Sequence, residues 1–225
     1  ATMDVAHRQG DPGFVPSLIT NDSRNVRPDA VYVALPGLHV DGHNYIQDAL
    51  DRGARAIVYS DAAFDNRLSA TCRERSLAVA RVQDGRRSLS ALAAAFYMRP
   101  SEELAVIGVT GTDGKSSTTA FLDQILQACG AKAGFISTVA RRIGDEEEAN
   151  MVHQSTPEAP VVHGLLRRMR DAGKEIAVLE STSHGLSHKT GRLRDIHYTG
   201  AIFTNLTHEH LEFHGSFEKY RDDKG

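Results

Sequence analysis

Short β-rich runs, mostly apolar, alternate along the chain with longer helical stretches. The runs at 30–35, 56–59 and 77–82 read as strands. Segment 44–52, with Gly53 just past it, reads as a helix closed by glycine. An Ala-rich helical stretch at 88–98 must stop near Arg99-Pro100, because proline cannot continue a helix. Pro100, followed by Ser-Glu-Glu, marks the expected boundary between a first domain, 1–99, and a second, 100–225.

Beyond it the rhythm restarts. Residues 104–109 form a continuous apolar run, as in a central parallel strand buried on both faces. A polar, Gly-containing turn at 110–115 precedes an amphipathic helix, 116–129, closed by Gly130. Segment 135–142 reads as one strand leading into an acidic turn at 145–148, and 157–172 as a helix with Pro157 in its first turn. A buried strand at 175–179 ends on Glu180, 200–204 repeats that pattern, and a helix begins at 217. Strands alternating with helices predict an α/β fold with a mixed or parallel sheet. Three apolar strands deliver polar residues at their C-terminal ends, the edge where open α/β sheets hold ligands.

Composition narrows the class. The 225 residues allow one large domain or two modest ones, and 40% hydrophobic with 24% charged residues excludes disorder, collagen and coiled coil. A net charge of −3 gives no global reason to expect nucleic acid. No apolar run approaches a membrane span, and the N-terminus has no signal-peptide core. Cys72 and Cys129 are too few and too far apart for a disulfide framework, so a reducing cytoplasm is expected. The sequence stops inside what reads as a helix, as a fragment would.

The most informative stretch is Val106-Ile-Gly-Val-Thr-Gly-Thr-Asp-Gly-Lys-Ser-Ser-Thr118. Gly111 and Gly114 let backbone N–H groups converge, and the helix start at Ser116 adds its positive dipole end. Lys115 is placed to reach the β/γ-phosphates and the Ser116 hydroxyl to ligate Mg²⁺. The loop is not a strict Walker A, since Val109 holds the position of the first glycine. Glu180 stands at the same sheet edge, where it holds Mg²⁺ at ATP phosphates or caps a neighbouring helix. Segment 204–214 carries three histidines and two glutamates; the loop setting favours one histidine supporting Mg²⁺ over a zinc site. His153-Gln-Ser-Thr-Pro-Glu158 grips an anionic substrate or is an ordinary helix start, with Thr156 as N-cap. Asn21-Asp-Ser-Arg24, Pro36-Gly37 and Asp41-Gly-His43 form either plain turns or a nucleotide pocket.

Taken together, these segments resemble the Mur ligase family from about Asn21 to Lys224. Asp22-Ser-Arg-x-Val, Tyr32-Val-Ala-Leu-x-Gly37, Asp41-Gly-His43 and Ala49-Leu-x-x-Gly-Ala54 are similar to a UDP-binding domain of that family. Gly-Thr-Asp-Gly-Lys-Ser-Ser-Thr resembles its ATP loop, with Asp113 where asparagine is usual and hydroxyls kept at Ser116 and Ser117. Ser155-Thr156-Pro157 and Leu179-Glu-Ser-Thr-Ser-His-Gly-Leu186 resemble its substrate elements. Phe203 to Gly215, with Tyr220-x-x-x-Lys224, is similar to the block carrying a metal-binding histidine and a carbamylated lysine.

The resemblance implies a small N-terminal α/β UDP-binding domain followed by a truncated parallel-sheet P-loop ATPase domain. It implies a peptidoglycan precursor ligase that adds a diamino acid to UDP-N-acetylmuramoyl-L-alanyl-D-glutamate, working as a cytoplasmic monomer. Ser23, Leu38, His39 and Val40 would contact UDP; Gly111, Thr112, Asp113, Gly114, Lys115, Ser116 and Ser117 would cradle ATP; Gln154, Ser155, Thr156 and Thr182 would hold the muramoyl-dipeptide. Lys115, Glu180, His210 and Lys224 would be catalytic; Ser116, Glu180, His210 and Lys224 as carbamate would hold Mg²⁺. Where the family brings glutamine and arginine into the substrate site this chain has His188 and Thr190, and a two-residue shift would give the arginine's role to Arg192. Two rivals stand beside this reading: another ligase of the superfamily, such as a folylpolyglutamate synthetase, and a nucleotide-binding module that ligates nothing.

Overall fold

A computed structural model describes residues 4–10, 13–37, 40–74, 76–150, 156–207 and 211–224. The chain divides into two compact units, Ala1–Leu92 and Ala93–Gly225. Both are α/β.

In the first unit the elements run β1 (Val5–Gln9), β2 (Leu18–Thr20), β3 (Ala30–Val33), α1 (Ile46–Asp51), β4 (Ala54–Tyr59), α2 (Asp65–Glu74), β5 (Ala78–Val82) and α3 (Gly85–Phe96), whose last residues belong to the second unit. The sheet order is β1-β5-β4-β3-β2, parallel except for β1 at the edge. Its core forms where Tyr32, Ile57, Tyr59 and Val79 of the strands meet Ile46, Leu50 and Leu68 of the helices. Gly53 ends α1 at φ 98°, the left-handed conformation a C-terminal glycine supplies. β1, β2 and α2 carry too weak a pattern to register in the sequence.

The second unit holds α4 (Pro100–Glu103), β6 (Ala105–Thr110), α5 (Lys115–Ala128), β7 (Ala133–Ile136), β8 (Ala140–Arg142), β9 (Glu147–Ala149), α6 (Ala159–Asp171), β10 (Ile176–Glu180), α7 (Ser183–Leu186), β11 (Gly200–Phe203), α8 (Leu211–His214) and α9 (Phe217–Asp222). The strand order is β11-β6-β10-β7-β8-β9, with the first four parallel. Val106, Leu179, Leu166 and Met169 lie in a core between sheet and α6.

Three expectations change. The strand read at 135–142 is a hairpin, β7 and β8, turning at 137–139, and β8 pairs antiparallel with β7. The acidic stretch is not only a turn: Glu147–Ala149 pairs with β8 as an edge strand, where its exposed glutamates stay solvated and meet Arg141 and Arg142. Helix α6 starts at Ala159 with Pro160, not Pro157, in its first turn.

From β6 the chain crosses by α5 to β7, and β10 lies between these two strands; from β10 the chain returns to β11 on the far side of β6. The C-terminal ends of β6 and β10 therefore flank a point where the connections part in opposite directions, the place where such sheets bind ligands.

Candidate active site

The loop between β6 and α5 is built for close approach. Gly111 sits at φ 143°, and a Cβ there would collide with Thr204 and the main chain of Asn205. Gly114 is the N-cap of α5 at φ 78°, and no side chain caps the helix. Among the described residues no side-chain hydrogen bond therefore caps the positive end of α5, which opens toward the loop. The segment after β11 braces the loop from behind. Asn205 takes the Thr112 N–H on its main-chain oxygen at 2.9 Å and the Asp113 N–H on its side chain at 3.0 Å, and Thr204 donates to the Asp113 oxygen at 2.7 Å. Lys115 folds back, its Nζ 2.5 Å from the Thr112 oxygen.

Glu180, the last residue of β10, is buried and faces the start of α5. Its Oε2 accepts from Ser116 Oγ at 2.9 Å and from the Thr138 N–H at 2.8 Å; its Oε1 accepts from Thr138 Oγ1 at 3.0 Å. The carboxylate thus contacts the first turn of α5 through Ser116 and the β7–β8 turn through Thr138. A hydroxyl and a carboxylate side by side are hard oxygen donors, the chemistry Mg²⁺ takes, and the loop amides suit a polyphosphate. Among the described residues no cluster of three His, Cys, Asp or Glu side chains forms.

Lys224 comes from the other end of the sequence to the same place. It is buried, donates to the Gly111 oxygen, and lies with Nζ 4.7 Å from the ring centroid of Tyr220. Tyr220 in turn hydrogen-bonds Thr112 Oγ1 at 3.0 Å. The two short helices α8 and α9 are locked by a buried pair, His214 Nδ1 with Asp223 Oδ2 at 2.7 Å. Burial pushes the Asp223 carboxyl upward, but hydrogen bonds from His214 and Ser187 and the charge of Lys219 outweigh it and hold the group below the usual carboxylate range.

On the third side, Thr156 and Thr182 meet hydroxyl to hydroxyl at 2.7 Å. Thr182 caps α7 through Gly185 N–H. The N-cap of α6 is Glu158, so Thr156 is not the helix cap expected from sequence. Arg192 reaches the Thr156 oxygen and Glu158. Gly111, Lys115, Thr156, Glu180, Thr182, Arg192 and Lys224 all border one cavity of about 370 Å³. His188 is exposed, and the Thr190 hydroxyl turns onto the main chain at His184 and Ser187. The sequence reading assigned no role to three other bordering residues, Ser183, His184 and Tyr220. All three stood inside its motifs, but a motif does not say which of its members turns inward. Gln154, Ser155 and His210 lie outside the described residues.

In the first unit, Ser23 is buried in a 3₁₀ turn just past β2 and hydrogen-bonds Asp48; Val40, past β3, is exposed. Leu38 and His39 lie outside the described residues. His43 is structural: Nδ1 meets Asp41 at 2.6 Å, and Nε2 takes the N–H groups of Ser60 and Asp61, fixing the turn to the end of β4.

A glycine-bearing loop opening a helix at the switch point of a parallel sheet, with a buried carboxylate from the neighbouring strand, defines a P-loop-type nucleotide-binding unit. The chain belongs to the Mur ligase family: residues 109–225 match the Mur ligase middle domain, and residues 17–97 match the pattern described as Mur ligase family, catalytic domain. It is 50% identical over 224 residues to the UDP-N-acetylmuramyl-tripeptide synthetase of Treponema pallidum (strain Nichols), covering 100% of this chain and 40% of that protein. It is 39% identical over 219 residues to the UDP-N-acetylmuramoyl-L-alanyl-D-glutamate--2,6-diaminopimelate ligase of Geobacillus thermodenitrificans (strain NG80-2), covering 97% of this chain and 42% of that protein. The chain thus spans about two fifths of the length of these curated relatives. A solved structure of a UDP-N-acetylmuramoyl-L-alanyl-D-glutamate--2,6-diaminopimelate ligase shares the fold, with a TM-score of 0.73 at 23% identity over 93% of this chain and 40% of that one.

Proposed function

We propose that the protein is an ATP-dependent ligase that joins a diamino acid to the D-glutamate of UDP-N-acetylmuramoyl-L-alanyl-D-glutamate, as a cytoplasmic monomer serving peptidoglycan precursor synthesis. The observation that carries this reading is that a phosphate loop, a buried carboxylate, a buried lysine and a Thr–Thr–Arg wall border one and the same cavity. The names of the relatives, a tripeptide synthetase and a diaminopimelate ligase, support the acceptor.

In this reading the loop amides and the α5 N-terminus hold the ATP phosphates, and Lys115 exchanges the Thr112 oxygen for the β/γ-phosphates. Thr156, Thr182 and Arg192 present the acceptor's D-glutamate carboxylate. An oxygen of that carboxylate attacks the γ-phosphorus, ADP leaves, and an acyl phosphate forms. The diamino acid's amine then attacks the acyl carbon, the C–O bond breaks and phosphate departs. Ser116, Glu180 and His210 would hold Mg²⁺, which would supply charge neutralisation at the phosphates. The rest is positioning. Lys224, as a carbamate made by adding CO₂ to its neutral amine with loss of a proton, turns a repelling cation into an oxygen ligand. In the first unit, Ser23, Leu38, His39 and Val40 take the UDP end.

Oxygen tracing tests the chemistry. With acceptor labelled by ¹⁸O in the D-glutamate carboxylate, one label should appear in the released phosphate. Unlabelled phosphate formed alongside product would exclude the acyl phosphate.

A further inference from the structure

We propose that Thr138 is a positioning residue for Glu180, fixing its carboxylate toward the metal and phosphates. The inference rests on the reading of Glu180 as a Mg²⁺ ligand. Thr138 lies outside every motif that marks the site in the sequence.

Three observations carry it. Thr138 grips both oxygens of one carboxylate, its N–H on Oε2 at 2.8 Å and its hydroxyl on Oε1 at 3.0 Å. Two bonds from one residue to both ends of a planar group set the plane of that group as well as its distance. Second, the grip leaves Oε2 facing Ser116 Oγ at 2.9 Å, so the fixed plane is the one that meets the first turn of α5. Third, the turn bearing Thr138 is over-determined. Ser137 N–H and Oγ both donate to the Ala140 oxygen, at 2.9 and 2.8 Å, and the Ala140 N–H returns to Ser137 Oγ at 3.1 Å. Asn150 then ties the turn to β9, its side chain donating to the Ser137 oxygen at 2.8 Å and its N–H to the Val139 oxygen at 2.9 Å. Ser137 and Asn150 are both buried. A hairpin turn held this firmly presents Thr138 as a fixed two-point clamp, and the hydrogen-bond partners of metal-ligating carboxylates set metal affinity.

The test is a titration of the full-length protein with Mn²⁺ as probe, in the presence of a non-hydrolysable ATP analogue, following the EPR signal of the free ion. Thr138→Val keeps the shape and removes the hydroxyl; Thr138→Ser keeps the hydroxyl and removes a methyl. The clamp predicts that Val weakens Mn²⁺ binding about 10-fold or more and that Ser stays within about two-fold of the wild type. A packing role predicts the reverse order, with Ser impaired and Val spared, and that order would overturn the proposal even if one variant folded poorly. Val and Ser both binding like wild type would overturn it as well. Glu180→Gln separates the two layers. If it weakens Mn²⁺ binding while Thr138→Val does not, the clamp alone is wrong. If Glu180→Gln binds Mn²⁺ like wild type, the metal reading of Glu180 falls and takes the clamp with it.

Discussion

Arg192 donates from Nη1 to the main-chain oxygen of Thr156 at 2.9 Å, across 36 positions of sequence. That bond joins the loop after α7 to the approach of α6 at the border of the cavity. Arg192→Ala is expected to raise the KM for the muramoyl-dipeptide about 10–100-fold, the scale of losing one or two charge-assisted hydrogen bonds. ATP binding should stay within about two-fold. Arg192→Lys should recover only part of the loss, because a point charge cannot reach Thr156 and Glu158 in one planar fork. Unchanged acceptor KM in both variants would remove Arg192 from the acceptor wall.

Gly111→Ala tests the loop geometry. The residue adopts φ 143°, and an added Cβ meets the Thr204 hydroxyl and the Asn205 backbone. Strain and collision together should cost roughly 2–4 kcal/mol. A lower Tm with loss of nucleotide binding is expected; a wild-type Tm would mean the loop can relax freely.

His163 makes stability pH-dependent. It is fully buried in α6, neither ring nitrogen has a hydrogen-bond partner among the described residues, and burial lowers its pKa to about 4. The unfolded chain, with histidine near 6.5, therefore binds the proton first as pH falls. The contribution to stability is complete above pH 6.5 and is lost progressively toward pH 4, by roughly 3 kcal/mol. Denaturant unfolding across this window should show the stability of wild type minus that of His163→Leu falling by roughly 3 kcal/mol between pH 7 and pH 4. Parallel curves would show that His163 does not titrate differently on folding.

Lys224→Ala should cut ligation at least 100-fold, with partial rescue by bicarbonate or short carboxylates that restore an oxygen near Gly111. Its ammonium is already drawn against the Gly111 oxygen and the Tyr220 ring. Full activity of the variant without additives would remove the carbamate role.

Much of this was legible from residues in order. Continuous apolar runs marked β6 and β10, and glycine and proline marked the ends of α1, α3 and α5, because those signals are local. The β7–β8 hairpin was not legible, since Ser137-Thr138-Val139 carries no glycine or proline and reads as continuing strand. Thr138 escaped for the same reason: its partner lies 42 positions away on β10. The Arg192 shift was readable as an offset in a motif, but only folding shows which of His188, Thr190 and Arg192 reaches the cavity.

The most direct test of the ligase reading is phosphate release from ATP and Mg²⁺ by the full-length protein, with UDP-N-acetylmuramoyl-L-alanyl-D-glutamate as acceptor and lysine, ornithine and diaminopimelate supplied in parallel. Release that requires both the acceptor and one of the diamino acids, and that vanishes in Lys115→Ala, is the predicted result. ATP binding with no release for any diamino acid would contradict it and leave a nucleotide-binding module.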